Sequence, residues 1–322
     1  EAGQPVRIGE VFRVWLPLAA SWLVMAMELP AVSAIMTRLA DPELHLAAYG
    51  GVVLPVALIV EAPVMMLLAA SVALAKDRAS YRLIYRFMMT LGAGLTVLHA
   101  ALAFTPLFDL VVVPLLGPPP SVVEPARLGF RLLLPWTWAI AYRRFHQGLL
   151  IRFGRSHQVT IGTALRLVTV VGAAAVLGFA LGAQGVVTAA AAIIIGVIVE
   201  ALYSGLAALA VVRTQLRHAA VATPPLTIRS FLTFYFPLLL TSLLSLLVQP
   251  IGSAALARMP EALASLAVWP VVNGLLFMLR SVAFALNEVV VALLDRPGAY
   301  RTLRRFAWLL AATLMLITLA VA

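Results

Sequence analysis

Long apolar runs follow one another along the whole chain, separated by short polar connections. In a bilayer, a run of about 20 apolar residues can span only as a helix, because no water is present to satisfy an open backbone. Nine runs can be marked, at 11–38, 46–75, 83–107, 127–151, 158–181, 185–212, 229–257, 263–293 and 303–322. Composition agrees: of 322 residues, 63% are hydrophobic and 11% charged, against about 25% charged in an ordinary soluble domain. The mean hydropathy is +1.04. Too few polar residues remain to coat a water-soluble surface, which excludes a soluble globular enzyme, a disordered chain and a collagen-like fibre. The absence of cysteine excludes disulfides, thiolate metal sites and a cysteine nucleophile.

The net charge of +10 reads as topology rather than as a nucleic-acid footprint. With the N-terminus inside, Arg7, Arg13, Lys76, Arg78, Arg82, Arg86 and most other basic residues fall at cytoplasmic ends. Arg38, Arg127, Arg131 and Arg258 fall outside. That asymmetry places the N-terminus in the cytoplasm. The segment before the first run lacks the pattern of a signal peptide. The outer loop 108–126, with Gly117-Pro118-Pro119-Pro120, reads as a stiff extended segment. Prolines at 17, 30, 55, 63, 135, 237, 250 and 270 lie inside or at the edges of spans and predict kinks.

An internal repeat organises the chain. The segment VFRVWLPLAASWLVMAMELPAVSAIMTRL aligns with FLTFYFPLLLTSLLSLLVQPIGSAALARM. Pro17 falls on Pro237, Pro30 on Pro250, Ser33 on Ser253 and Arg38 on Arg258. Further on, Asp77-Arg78 falls on Asp295-Arg296, Tyr81-Arg82 on Tyr300-Arg301 and Arg86-Phe87 on Arg305-Phe306. Six spans separate equivalent positions, so the halves are parallel, related by an axis along the membrane normal. The expected architecture is an all-α polytopic membrane protein of two parallel-repeat lobes. Residues 1–212 form an N-terminal six-helix lobe, 213–228 a cytoplasmic linker, and 229–322 a C-terminal lobe with three of an expected six helices. On this reading both ends look cut, and the C-terminal part is missing.

Ionisable groups inside spans are functional candidates, since each costs on the order of a few kcal/mol to bury unpaired. Glu28 precedes the Pro30 kink, and Glu61 lies between Pro55 and Pro63. Arg143, Arg144, His146 and Gln147 crowd the inner half of the fourth span. Arg166 lies in the fifth span, and Arg280, Asn287 and Glu288 in the eighth. Glu61 aligns with Arg280 in the repeat. The two are either a salt bridge that closes one state of an alternating-access cycle or a fixed pair holding the lobes together. Arg143 and Arg144 point about 100° apart. One is expected to snorkel toward the surface. The other, with Gln147, faces the interior, either paired with Glu61 or Glu200 or holding an anion. Glu28 is either a coupling-ion or proton site or a helix-pairing carboxylate. No motif of a hydrolase, metalloprotease or P-loop is present, and the histidines have no metal spacing. No catalytic residue, metal or cofactor is therefore assigned.

With these residues in place, the chain resembles a known superfamily. The stretch RRFHQGLLIRFGRSHQVTIGTALR is similar to the fourth-to-fifth helix region of the multidrug/oligosaccharidyl-lipid/polysaccharide (MOP) flippases, which include the MATE exporters. WLPLAASWLVMAMELPAVSAIMTRLADPELHLAAYG, with its repeat partner, most resembles the progressive ankylosis branch. The resemblance implies lobes that rock about a central cavity and export a solute in exchange for Na⁺ or H⁺. In the ankylosis branch the solutes are small anions such as citrate, nucleotides and pyrophosphate.

The expected function is thus a secondary active exporter of a small anionic solute, in a bacterial inner (plasma) membrane. Its expected partners are the lipid bilayer and its substrate, with no nucleic acid and no obligate protein partner. Glu61, Arg280, Arg144 and Gln147 are expected to line the cavity, with Glu28 as the coupling site. Three readings stay open beside it: a lipid-linked oligosaccharide flippase, a multidrug antiporter for cations, and a non-transporting intramembrane transferase or assembly factor.

Overall fold

The structure, a computed structural model, describes residues 6–216, 218–220, 223–294 and 296–321; at 17, 21, 287, 288, 291, 292 and 321 it describes the backbone alone. It is all-helical, with no strand among the described residues. The helices are α1 (Ile8–Ala26), α2 (Glu28–Met36), α3 (Pro42–Ala48), α4 (Leu54–Glu61), α5 (Leu67–Leu74), α6 (Arg78–Phe104), α7 (Val113–Leu116), α8 (Pro120–Leu132), α9 (Trp136–Arg152), α10 (Ser156–Ala175), α11 (Gly185–Val211), α12 (Ile228–Leu246), α13 (Val248–Leu256), α14 (Ala262–Leu293) and α15 (Ala299–Val321). Among the described residues, eight helical stretches are long and apolar enough to cross a membrane: Ile8–Met36, Pro42–Leu74, Arg78–Phe104, Ser156–Ala180, Gly185–Leu216, Ile228–Leu256, Ala262–Leu286 and Ala299–Ala320.

The expected run at 127–151 differs from the other eight. It is split into α8 and α9 by a turn at Leu133–Pro135. Pro135 has no N–H to continue a helix and disfavours helical geometry at Leu134. Beyond the turn, α9 is only 17 residues long and carries Arg143, Arg144 and Arg152. The outer loop also differs from expectation. Residues 108–126 are mostly helical, through a wide π-type turn at Phe108–Val112, then α7 and α8. Only the link Gly117–Pro119 is non-helical, with Gly117 left-handed at φ +66° and Pro119 extended at ψ 144°. Proline suits a helix's first turn, where its missing N–H has no partner to lose, so Pro120 starts α8 rather than stiffening a loop.

The repeat is visible in the backbone. α1 and α2 are separated by a single non-helical residue, Met27, and α12 and α13 by Leu247. Each break lies three residues before a proline, Pro30 and Pro250. Proline offers no N–H to the carbonyl four residues earlier and its ring crowds that carbonyl, so both helices bend at equivalent positions. Pro237, by contrast, is held within α12 without ending it.

The described chain forms two compact units by contact, Ala31–Pro270 and a smaller one of Glu1–Pro30 with Val271–Ala322. The division at 213–228 groups residues by sequence likeness instead of by contact. In the larger unit, α9 is buried at most positions on all its faces, and α11 is almost as deeply buried. Glycines mark the crossings of α9 with α5, α6 and α11. A Cβ at Gly148 would lie 2.4 Å from the Leu68 carbonyl oxygen on α5. The N-terminal part of α14 crosses the wide turn Tyr49–Val53 so closely that a Cβ at Gly50 would lie 2.3 Å from the Pro270 ring. Small residues at such crossings let apolar helices approach where burial of apolar surface gives no drive.

In the smaller unit, Val11, Trp15 and Ala19 of α1 pack with Ala285, Val289 and Leu293 of α14 and Leu303 and Phe306 of α15. Trp15 Nε1 donates to the Val282 carbonyl at 3.0 Å. Glu10 and Arg296 form an ion pair beside this core. These contacts tie the first helix of the chain to its last two.

Gly148→Ala should lower the midpoint of thermal unfolding in detergent, with a cost of about 1–3 kcal/mol from forced helix separation. Gly172→Ala, at a position with open space around it, should leave the midpoint unchanged or slightly raised.

Candidate functional site

The larger unit encloses a cluster of charge around Glu200. This residue is the single charge in the 27-residue α11 and is fully buried, at 0% exposure. A carboxylate there requires partners, and the neighbouring helices α9 and α10 supply them. Arg143 of α9 donates from Nη1 to Glu200 Oε2 at 2.6 Å, and Gln147, one turn further along, donates to Oε1 at 3.0 Å. From α10, Arg166 Nη1 lies 3.3 Å from Oε2 and Thr163 Oγ1 donates to Oε1 at 3.2 Å. Spacings of four and three residues on α9 and α10 place each pair on one helix face. α10 comes close because Gly162 faces Glu200 and Tyr203, and Gly196 of α11 faces Val170 and Arg166.

Arg144 points the other way. It is half-buried, and among the described residues its hydrogen-bonding contact is Met65 Sδ at 3.9 Å. Glu61, at the end of α4 and 3% exposed, lies within electrostatic range of Arg144, Arg143 and Arg166. Its Oε2 makes no hydrogen bond; the Trp136 indole N–H is near but outside hydrogen-bonding geometry. A turn of 3-10 helix at Ala62–Val64, set by Pro63, continues directly from Glu61. His146, between Arg143 and Gly148, shares a hydrogen bond through Nδ1 with the Tyr142 carbonyl at 2.8 Å and is ringed by Tyr85, Tyr142 and Phe145.

The arginine pair therefore divides differently from the sequence expectation. Neither residue snorkels to a surface. Arg143, rather than Arg144, takes Glu200, and Gln147 joins Arg143 because it lies four residues away on the same face. Arg144 turns toward the Glu61 side. Of the other expected cavity residues, Arg280 is exposed and lies in the smaller unit, whereas Glu61 lies in the larger one. Glu28 opens α2 immediately after the break at Met27 and is half-buried. A carboxylate suits that first turn, where the helix dipole is positive. The side chains of Asn287 and Glu288 lie outside the described residues. Among the described residues, no three His, Asp or Glu side chains gather as metal ligands would. In the sequence Glu200 stands out only as one possible partner for an arginine; its signal is its isolation in a long apolar run.

Glu200→Gln would keep the shape but leave Arg143 and Arg166 buried without their anion. Removing one member of such a cluster costs about 3–5 kcal/mol, so a large fall in unfolding midpoint is expected in detergent. Thr163→Val should cost about 1 kcal/mol, since Glu200 retains three donors.

No family model matches the sequence, and no curated protein matches it. Solved structures match throughout its length. A variant of the Vibrio cholerae MATE transporter VcmN aligns with 98% of this chain and 73% of its own, at 18% identity and a TM-score of 0.65. A multidrug resistance MATE family transporter of the MOP superfamily, in its inward-facing conformation, aligns with 99% of this chain and 70% of its own, at 18% identity and a TM-score of 0.63. A MOP superfamily transporter from Pyrococcus furiosus, described by the reverse polarity of its binding pocket, aligns with 98% and 74%, at 19% identity and a TM-score of 0.58. At such identity the likeness is one of fold, and the fold of this chain is that of the MATE transporters.

Proposed function

We propose that this chain is a secondary active exporter that works by alternating access, with a small anion as its cargo. The observation that carries the anion is the surplus of guanidinium in the larger unit. Arg143 and Arg166 are matched to Glu200 through close contacts. Among the described residues Arg144 has only a thioether at 3.9 Å, and Glu61 beside it has an unbonded oxygen. A half-buried guanidinium with donors to spare is suited to a carboxylate or phosphate, which its planar fork can grip through two hydrogen bonds. The ankylosis-like resemblance of the sequence points to the same class of cargo. The Pyrococcus furiosus neighbour was linked to a different function by the polarity of its pocket, and polarity is also what points to an anion here.

The alternating-access part is supported by the parallel repeat and its paired kinks. Two similar halves, each bent at a proline, offer two near-equivalent packings for one chain. Glu61 would compete with the anion for Arg144. The internal pair would form when the cargo leaves and open when it binds. Glu28, at the α1–α2 break, is the proposed coupling position. Arg280 is proposed as the partner that Glu61 meets in one state of the cycle.

In a thermal-shift screen, citrate, pyrophosphate or a nucleotide should raise the unfolding midpoint and cationic drugs should not. Arg144→Gln should abolish that anion response without lowering the basal midpoint by more than a few degrees. Stabilisation by cations and indifference to anions would replace this reading with a multidrug antiporter; stabilisation by a lipid-linked sugar alone would favour a flippase. In proteoliposomes, Glu28→Gln should slow gradient-driven movement of the stabilising anion about tenfold or more while leaving insertion intact. Unchanged transport would remove Glu28 from coupling.

A further inference from the structure

Away from this cluster, a cavity of about 560 Å³ opens where the start of α6 meets the start of α12. It is lined by Ala79, Arg82, Leu83, Arg86, Phe87 and Thr90 of α6 and by Ile228 of α12. We propose that this cavity binds the headgroup of an acidic phospholipid, with Arg82 and Arg86 gripping the phosphate and Leu83, Phe87 and Ile228 receiving the upper acyl chain.

Arg82 and Arg86 lie four residues apart and so share a face of α6. Both are exposed, and neither makes an ion pair among the described residues. From the first residue of α6, a rise of 1.5 Å per residue puts them about 6 and 12 Å along the helix. At that depth in an apolar span, a bare guanidinium is costly. Long arginine stems can lift both heads toward the interface, and a lipid phosphate is the anion that waits there. The two forks then converge on one group from adjacent turns.

The other wall adds to this. α12 begins at Ile228 behind a capping box made by Thr227 and Ser230, so the positive end of its dipole lies at this wall. Leu83, Phe87 and the 54%-exposed Ile228 offer apolar surface that a soluble anion would leave bare. This favours a lipid over free phosphate. The distribution of basic residues puts this end on the cytoplasmic side, where anionic lipids attract such clusters.

The position gives the lipid a consequence. α6 belongs to the first repeat and α12 opens the second. Just below the cavity, Phe87 meets Phe231 and Tyr235 with ring centres 4.7 and 5.3 Å apart. The Tyr235 hydroxyl donates to the Pro63 carbonyl at 2.5 Å. A phospholipid bridging α6 and α12 would brace this seam and stabilise the arrangement seen here.

The test uses the whole chain in detergent micelles doped with phosphatidylglycerol or phosphatidylcholine, read by unfolding midpoint and by native mass spectrometry. Phosphatidylglycerol should raise the midpoint by about 5 °C or more over phosphatidylcholine, and one such lipid should stay bound. Arg82→Gln/Arg86→Gln should lose most of that gain, and Arg301→Gln/Arg305→Gln, the matching pair on α15, should keep it. Should the double variant fail to fold, Ala79→Trp, which fills the cavity and spares both charges, should lose the gain in its place. An equal gain in wild type and these cavity variants would overturn the proposal. So would an equal gain from inorganic phosphate or glycerol phosphate without lipid, which would mark a site for soluble anions.

Discussion

The carboxylate of Glu200 is the constraint on which the larger unit depends. In a lipid-embedded bundle, apolar surface does little to draw one helix to another, so packing and polar contacts decide registration. Glu200 makes that decision for three helices. Arg143 and Gln147 fix the rotation of α9, Arg166 and Thr163 fix that of α10, and both are fixed against α11. A shift of one residue on either helix would carry its donors out of reach and leave a buried charge bare. Such a cluster is a poor source of net stability, because desolvation offsets its attraction. It does exclude other registers.

Fixing α9 in this way determines the direction of Arg144. Adjacent residues on a helix diverge by about 100°, so pairing Arg143 with Glu200 turns Arg144 toward α4 and Glu61. The pairing on one side thereby sets what faces the other. On one side the Glu200 carboxylate is met by Arg143, Gln147, Arg166 and Thr163. On the other, a guanidinium and a carboxylate share a space with donors and an acceptor unspent. The proposed transport role rests on that contrast, and a substitution at Glu200 would disturb it indirectly.

A second constraint is the backbone itself. Proline removes a hydrogen bond that lipid cannot replace, and the breaks at Met27 and Leu247 each lie three residues before one. Pro30 sits against Gly274, where an added Cβ would come within 3.0 Å of its ring. The same helix carries Glu28 directly after the bend. Bends at repeat-related positions are what the proposed alternating-access cycle draws on.

Much of this was legible in the sequence. Apolar run length dictates a helical membrane protein, because bilayer thickness and backbone satisfaction leave no other solution. Pro30 and Pro250 dictate paired bends, because the missing N–H is a local fact. The isolated charges mark the polar cluster. Three things were decided only by tertiary structure. The run at 127–151 broke in two, since the turn at Pro135 and the burial of Arg143 depend on neighbours. The loop at 108–126 became helical, because Pro120 could begin a helix as readily as stiffen a strand-like link. And Arg143 took Glu200 in preference to Arg144, a choice set by which face of α9 meets α11. Periodicity tells which residues share a face; only the packing of one helix on another tells which face looks at which.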